Sequence, residues 1–509
     1  MIAALTVPAR TTVFIEPKML ESYTSETGLL TRQLDEVIDR PVVLGIDPSV
    51  IASIRVLGTS APASATAWLQ RLDAATNETF PLAWADADLT LGLQAGSGDV
   101  LIPESFDYAI DPSLFSAAAA DPTPTPEPTE TPVDDVIPPL PTSESLLAWN
   151  YTVPEITWPA MNRVTAADLG KLGDYYGTTI LSSGNITATS VRTAHTVIDG
   201  SDTVVADESL SAKFGLAVEA SSGADWEAAM ASLAVSVGEV SSTEGEPASV
   251  LIALDRGVSM SDPDLGLTID TLAATPNVQV AGLADLLATP TATATLAEVG
   301  HSEAHLDSVK SMLSDERADR AFAVIAADPT LITSERRLSL LTALSNNWAD
   351  DSTGWAAAVS DYRAASVTLR DSVRIVKSSS ITLWADRASL PVTVTNELTQ
   401  PVTVYVTVRP LTPLLKIENS FVAVTVEPQS QRKASVPVQS LSNGIVELEI
   451  TLHTDTGAAV GGLTYVRTTV QAGWETPVTV GFGIAVVLVF AAGIIRTIVR
   501  RRRLSASEG

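Results

Sequence analysis

From Thr476 to Ile495 the chain runs for twenty residues, TPVTVGFGIAVVLVFAAGII, without a charge. As a helix rising about 1.5 Å per residue it would reach about 30 Å, the thickness of a bilayer's hydrocarbon core. A helix packed on a soluble core keeps a polar face, and this run has none. Trp474 stands just ahead of it, where an interfacial aromatic belongs, and Arg496, Arg500, Arg501, Arg502 and Arg503 follow. Arginines stay on the cytoplasmic side of a membrane. The expectation is therefore a single-pass plasma-membrane protein, with a basic cytoplasmic tail at 496–509 and a large N-terminal ectodomain outside. Such an ectodomain needs export. The opening MIAALTVPARTTVFIEP has neither a basic start nor a sustained apolar stretch, so a natural start with a signal peptide is expected upstream.

The 509 residues are too many for one ordinary domain, and a hydrophobic content of 45% is far above what disorder tolerates. A net charge of −29 argues against nucleic acid as a partner, because that binding depends on Lys and Arg at phosphates. With no cysteine, disulfides, thiolate metal sites and thiol nucleophiles are excluded.

Between residues 12 and 290, short apolar runs alternate with helix-like stretches. The runs are TTVFIEP (11–17), PVVLGID (41–47), FPLAWAD (80–86), LLAWN (146–150), TTILSS (178–183), DTVVADE (202–208), SVLIALD (249–255) and VQVAGL (278–283). They are nearly continuous in hydrophobicity, as strands buried on both faces are. Helical segments such as SATAWLQRLDAAT and TAADLGKLGDYYG lie between them, and Thr165 is placed to cap the second. This pattern predicts a (β/α) barrel-like domain, complete or distorted, over 1–300, with an open doubly wound sheet as the alternative. A Pro/Thr-rich acidic insertion at 121–145 reads as a solvated surface loop. Residues 301–377 read as a helical extension. From 378 to 472 the apolar period changes to two, as in PVTVTNELTQPVTVYVTVRP, which predicts an antiparallel sandwich of immunoglobulin type.

The blocks PVVLGIDPSVIASIRVLG, WLQRLDAA, FPLAWADADL, LLAWNYTVPEITWP and TTILSSGNI, ahead of the Ig-like module and terminal anchor, carry a resemblance. In that order they resemble the actinobacterial membrane-protein family DUF6049, whose function is unknown, over most of the chain. Members are often encoded near a flippase for lipid-linked peptidoglycan precursors, so the resemblance implies a cell-envelope setting. It brings no activity, and no catalytic residue is carried over from it.

In a barrel, chemistry gathers where strands end at their C-termini. The residues there are Glu16, Asp47, Asp86, Asp207, Glu208 and Asp255. Of these, Asp47, Asp86, Asp207 and Asp255 are the catalytic candidates, since glycoside hydrolysis needs one acid and one nucleophile or base. Aspartate is equally a strand-ending and helix-capping residue, and Asp47 before Pro48 fits that role. His301 and His305, four apart in HSEAH, would share one helical face and are the metal candidates, with no third ligand visible. Trp84, Trp149, Tyr151 and Trp158 are the ligand-binding candidates, because rings stack on sugar faces; core packing is the competing role. There is no P-loop, dinucleotide fingerprint or nucleophile elbow, and no cofactor is expected. The leading expectation is a non-catalytic or degenerate barrel on an Ig-like stalk, binding a cell-wall glycan or an envelope-biogenesis protein. The alternative is an active glycan hydrolase or polysaccharide deacetylase.

Overall fold

Strands buried on both faces must sit between helices and an interior, and the first part of the chain does this. The computed structural model describes residues 1–115, 140–187, 193–242, 248–254, 256, 262, 264–276, 278–377, 381–385, 387–471 and 475–504. Trp474, Asp255 and most of the Pro/Thr-rich insertion lie outside the described residues. The chain divides into two compact units, Met1–Ala318 with Thr330–Ser366, and Asp319–Pro329 with Val367–Gly509.

In the first unit, β1 (Ile2–Leu5), β2 (Val43–Ile46) and β3 (Thr79–Pro81) form a parallel sheet in that order. A second sheet takes β4 (Ile156–Thr157), β5 (Thr178–Ser182), β7 (His195–Ile198), β8 (Ser201–Ala206) and β9 (Ala292–Thr293) in the order β4-β5-β8-β7-β9. Here β4, β5 and β8 are parallel, and β7 turns back antiparallel on β8. A separate pair joins β6 (Ile186–Thr187) to β10 (Thr295–Leu296). The two larger sheets are half-barrels. Ile2 bridges to Ala253 and Ala206 bridges to Leu251, both parallel, and the Val153 amide donates to the Thr79 carbonyl at 3.0 Å.

The period of two sorts side chains into two layers. Ile2, Ala4, Val43, Phe80, Ile180, Val204, Leu251 and Ala253 share one buried cluster with Ile156 and Trp158. Their neighbours Leu5, Leu44, Ile46, Ile252 and Leu254 instead face Leu34, Ile51, Leu210 and Phe214 from the covering helices. Gly45 belongs to the first layer, and a Cβ there would stand 2.7 Å from the Phe80 ring.

Four of the expected strand runs, at 41–47, 80–86, 178–183 and 202–208, contain strands. The others differ. Residues 11–14 form bends that bring Val13 and Phe14 against a neighbouring core. Residues 146–150 begin as the end of the helix Ser143–Leu147, opened by the Thr142–Ser145 capping box. The run 249–255 forms only the bridges at Leu251 and Ala253, and residues 278–282 form no strand. Thr165 does cap its helix, its hydroxyl accepting from the Asp168 amide.

The second unit has two sheets. One runs β11 (Val373–Ile375), β13 (Arg387–Asn396), β17 (Ser430–Ser440), β15 (Leu415–Ile417). The other runs β12 (Ile381–Leu383), β19 (Ala459–Val470), β18 (Gly444–His453), β14 (Val402–Pro410), β16 (Val422–Val426). All neighbours are antiparallel except β12 beside β19. Alternate residues such as Val392, Val394, Val404, Val406, Val436, Val438, Leu448 and Ile450 meet in one core shared by both sheets. After β19 comes the helix Glu475–Leu504, and its stretch Thr479–Val499 is long and apolar enough to cross a membrane.

Gly45→Ala tests the packing of the first layer. The added methyl must displace Phe80 or Leu82, so stability should fall by about 1–3 kcal/mol, read from the urea unfolding midpoint.

Candidate functional site

β2 delivers Asp47 to the C-terminal end of the first half-barrel, where the next residue, Pro48, starts a helix with its fixed φ. The Asp47 carboxylate is 1% exposed. It accepts from the Ser49 amide at 2.8 Å, the Ser49 hydroxyl at 2.8 Å and the Ala85 amide at 3.0 Å. Arg10 donates to the Ser49 hydroxyl at 2.7 Å. Burial pushes the Asp47 carboxyl up from its ordinary range, while Arg10 and the Ser49 and Ala85 donors oppose it.

The bond from Ala85 draws the segment after β3 under Asp47. Ala85 and Asp86 both take positive φ, 55° and 50°, where side chains cost energy. That turn sends Asp86 inward, also 1% exposed, to pair with Arg256 at 2.9 Å (Nε to Oδ2). Asn346 donates to the Asp86 carbonyl at 3.0 Å and to its Oδ1 at 3.3 Å. Arg256 also donates to the carbonyls of Trp158 and Pro159, and its guanidinium lies 4.2 Å from the centre of the Trp158 ring. Burial raises the Asp86 carboxyl to about 7, against the pull of Arg256 and with the repulsion of Asp47.

Asp88 completes the row. Its Oδ1 accepts from the Thr90 amide and hydroxyl, capping the helix Leu89–Gln94, and its Oδ2 meets His301 Nε2 at 2.9 Å. Burial would raise this carboxyl, but the bonds from His301 and Thr90 outweigh it and hold it below the ordinary value. The expected helical pairing of the two histidines is therefore corrected. Ser302 caps the helix Glu303–Ala323, leaving His301 ahead of it, bonded to Asp88, while His305 lies edge-on to Trp355 with centroids 4.5 Å apart. Among the described residues no group of three His, Cys, Asp or Glu is arranged to hold a metal.

The remaining candidates are scattered. Asp207 caps the helix Glu208–Val218 by accepting from the Leu210 amide, and Glu208 accepts from Asn162 at 2.9 Å. Glu16 is exposed before the helix Pro17–Tyr23 and makes no capping bond. Beside Asp207, Ser183, Thr193, Thr196 and Ser249 line a cavity of about 140 Å³. The aromatic candidates turn inward. Trp84 lies between Phe14 and Phe106 at 5.7 and 5.0 Å, and Trp158 packs on Phe80 at 6.2 Å. Trp149 and Tyr151 are half-buried against the helix-facing core. An exposed aromatic floor is thus not what these four rings make.

Sequence reasoning missed Arg10, Asp88, Asn346 and the pairing of Arg256 with Asp86. Only Asp88 had a local signal, as an aspartate two residues before a threonine at the start of an apolar helix.

The family of unknown function DUF6049 matches residues 21–507. The chain belongs to this family. No curated protein matches it. Among solved structures, part of an Escherichia coli α2-macroglobulin is similar at 18% identity and TM-score 0.16, covering 20% of this chain and 16% of that one. A Caenorhabditis elegans MSP family member is similar at 11% identity and TM-score 0.16, covering 20% of this chain and 99% of its own. The α-amylase AmyC of Thermotoga maritima is similar at 10% identity and TM-score 0.43, covering 73% of this chain and 92% of that one.

The titration of Asp86 can be read in this DUF6049 protein. Folded, the group keeps its proton to about pH 7; unfolded, it loses it at its ordinary value near 4. Between those values the folded state holds more protons, so stability falls as pH rises, at a limiting slope of about 1.4 kcal/mol per unit. Urea unfolding of wild type against Asp86→Asn should show wild type losing relative stability across that window and running parallel above it.

Proposed function

We propose that this is a single-pass membrane protein whose N-terminal unit faces out of the cytoplasm and binds an envelope glycan or partner without turning it over. The apolar stretch Thr479–Val499 supports the anchor, and the arginines at 496 and 500–503 support the orientation. In this reading the two half-barrel sheets close into one distorted (β/α) barrel. The bridges at Ile2–Ala253 and Ala206–Leu251 and the Thr79–Val153 bond support closure. Residues 378–472 would be an Ig-like spacer, in keeping with two sheets sharing one core.

One observation carries the non-catalytic reading. At the strand ends Asp47 and Asp86 are each 1% exposed, and their oxygens are engaged by Ser49, Ala85, Arg256 and Asn346. A hydrolase needs such carboxylates open to a glycosidic bond. The more open polar surface lies at the Asp207 cavity, on the same C-terminal side of the strands. The raised Asp86 carboxyl is the observation that favours the alternative, since a general acid must hold its proton near neutral pH.

Incubating the full chain in detergent with purified wall glycans separates these. The expected result is co-sedimentation, reduced by Asp207→Asn, which keeps the cap but removes the charge, with no new reducing ends or released acetate. Turnover that disappears in Asp47→Asn or Asp86→Asn would establish the enzyme instead, and neither binding nor turnover would leave a protein partner.

A further inference from the structure

The second unit has two ends, and they differ in chemistry. At one, the strands stop at Leu383, Pro410, Ser440, Gly444 and Val470. Backbone bonds draw the adjoining residues together: Leu411 to Glu447, Leu441 to Leu414, and Gln471 to Leu383. The Ser440 hydroxyl donates to the carbonyl of Ala385 at 2.9 Å, which brings Trp384 beside Leu441. Four large apolar side chains stand out at this end, Trp384 at 73% exposure, Ile445 at 69%, Leu441 at 51% and Leu411 at 47%. At the other end the turns expose Glu397, Thr399, Glu427, Gln429, Asp455 and Thr456, and the large apolar side chains exposed in the segments leading into it are two valines, Val324 and Val367.

The chain leaves from the apolar end. Gln471 closes β19, the helix begins at Glu475, and its apolar stretch begins at Thr479. Four residue steps span at most about 14 Å, and four helical residues add about 6 Å. If Thr479–Val499 spans a bilayer, this end stands within about 20 Å of the hydrocarbon, against a headgroup layer several ångströms deep on each side. Water-exposed Trp, Leu and Ile gathered at that height are the side chains an interface takes up.

We propose that Trp384, Leu411, Leu441 and Ile445 form a lipid-contacting rim, by which the second unit rests on the outer surface of the bilayer that its own helix crosses. The contact is apolar, because the same end carries both signs of charge, with Arg387 paired to Glu418 at 3.3 Å. The proposal rests on the membrane-anchor reading above.

The chain has no cysteine, so one introduced thiol is unique. The full-length protein is placed in phosphatidylcholine vesicles with an NBD label on Trp384→Cys, Leu441→Cys or Ile445→Cys, and on Thr399→Cys or Thr456→Cys at the opposite end. Flotation with the vesicles reads the anchor, and quenching by doxyl-labelled lipid reads the rim. The expected result is flotation of all five, with quenching of at least about twofold at the first three only, unchanged by salt. Flotation without quenching at those three overturns the rim while leaving the anchor standing. Labels shielded from water yet unquenched by lipid would also overturn it, assigning the surface to a second copy or another protein. Failure to float would remove both readings.

Discussion

The strand-end face of the first unit depends on the Asp47 carboxylate. Burial removes this group from water and raises its pKa, and the Ser49 amide, the Ser49 hydroxyl and the Ala85 amide all point at its oxygens to offset that cost. Each donor belongs to a different task. The Ser49 amide starts the helix after β2, and the Ser49 hydroxyl links to Arg10. The Ala85 amide pins the segment after β3 into its left-handed turn. Removing the acceptor would strand these donors in a low-dielectric interior, which costs more than the bonds themselves contribute.

The same logic passes along the row. Once Ala85 is held, Asp86 must point inward, and a buried carboxyl there requires Arg256 or a proton. Arg256 is itself seated by the Trp158 and Pro159 carbonyls, so β4 and the chain after Ala253 become tied to the end of β3. Asp88 solves its burial differently, with a helix cap on one oxygen and His301 on the other. In the second unit one buried carboxylate, Asp319, is met by Arg370 at 2.8 Å. That unit's core is Val, Leu and Ile alternating with polar residues, and its buried polar side chains include Asn396, which donates to the carbonyls of Gln400 and Val426.

Legibility followed the range of the interactions. The runs at 41–47 and 178–183 were readable because both faces of those strands are buried, so hydrophobicity is continuous. The run at 146–150 misled because five apolar or amphipathic residues also suit the end of a helix, and Thr142 with Ser145 decides it. β1 was missed, its IAAL being short and weak in β-branched residues, and it is strand only because β2 pairs with it. The histidines' spacing suits one helical face, but the helix begins at Glu303 behind its Ser302 cap and so leaves His301 out. Trp84 and Trp158 were legible as large aromatic side chains, yet nothing local says which way a ring turns.

By itself the sequence determined the features set by local period and composition: an apolar stretch fit to span a bilayer, period-two strands near it, and aspartates that end strands and begin helices. Those follow from the few residues on either side. Only the tertiary structure decided that Asp47 holds Ala85, that Asp86 meets Arg256 across 170 positions, and that Trp384, Leu411, Leu441 and Ile445 share one end. Burial and charge pairing are properties of a packed volume, and a linear chain does not say which of its distant parts will exclude water together.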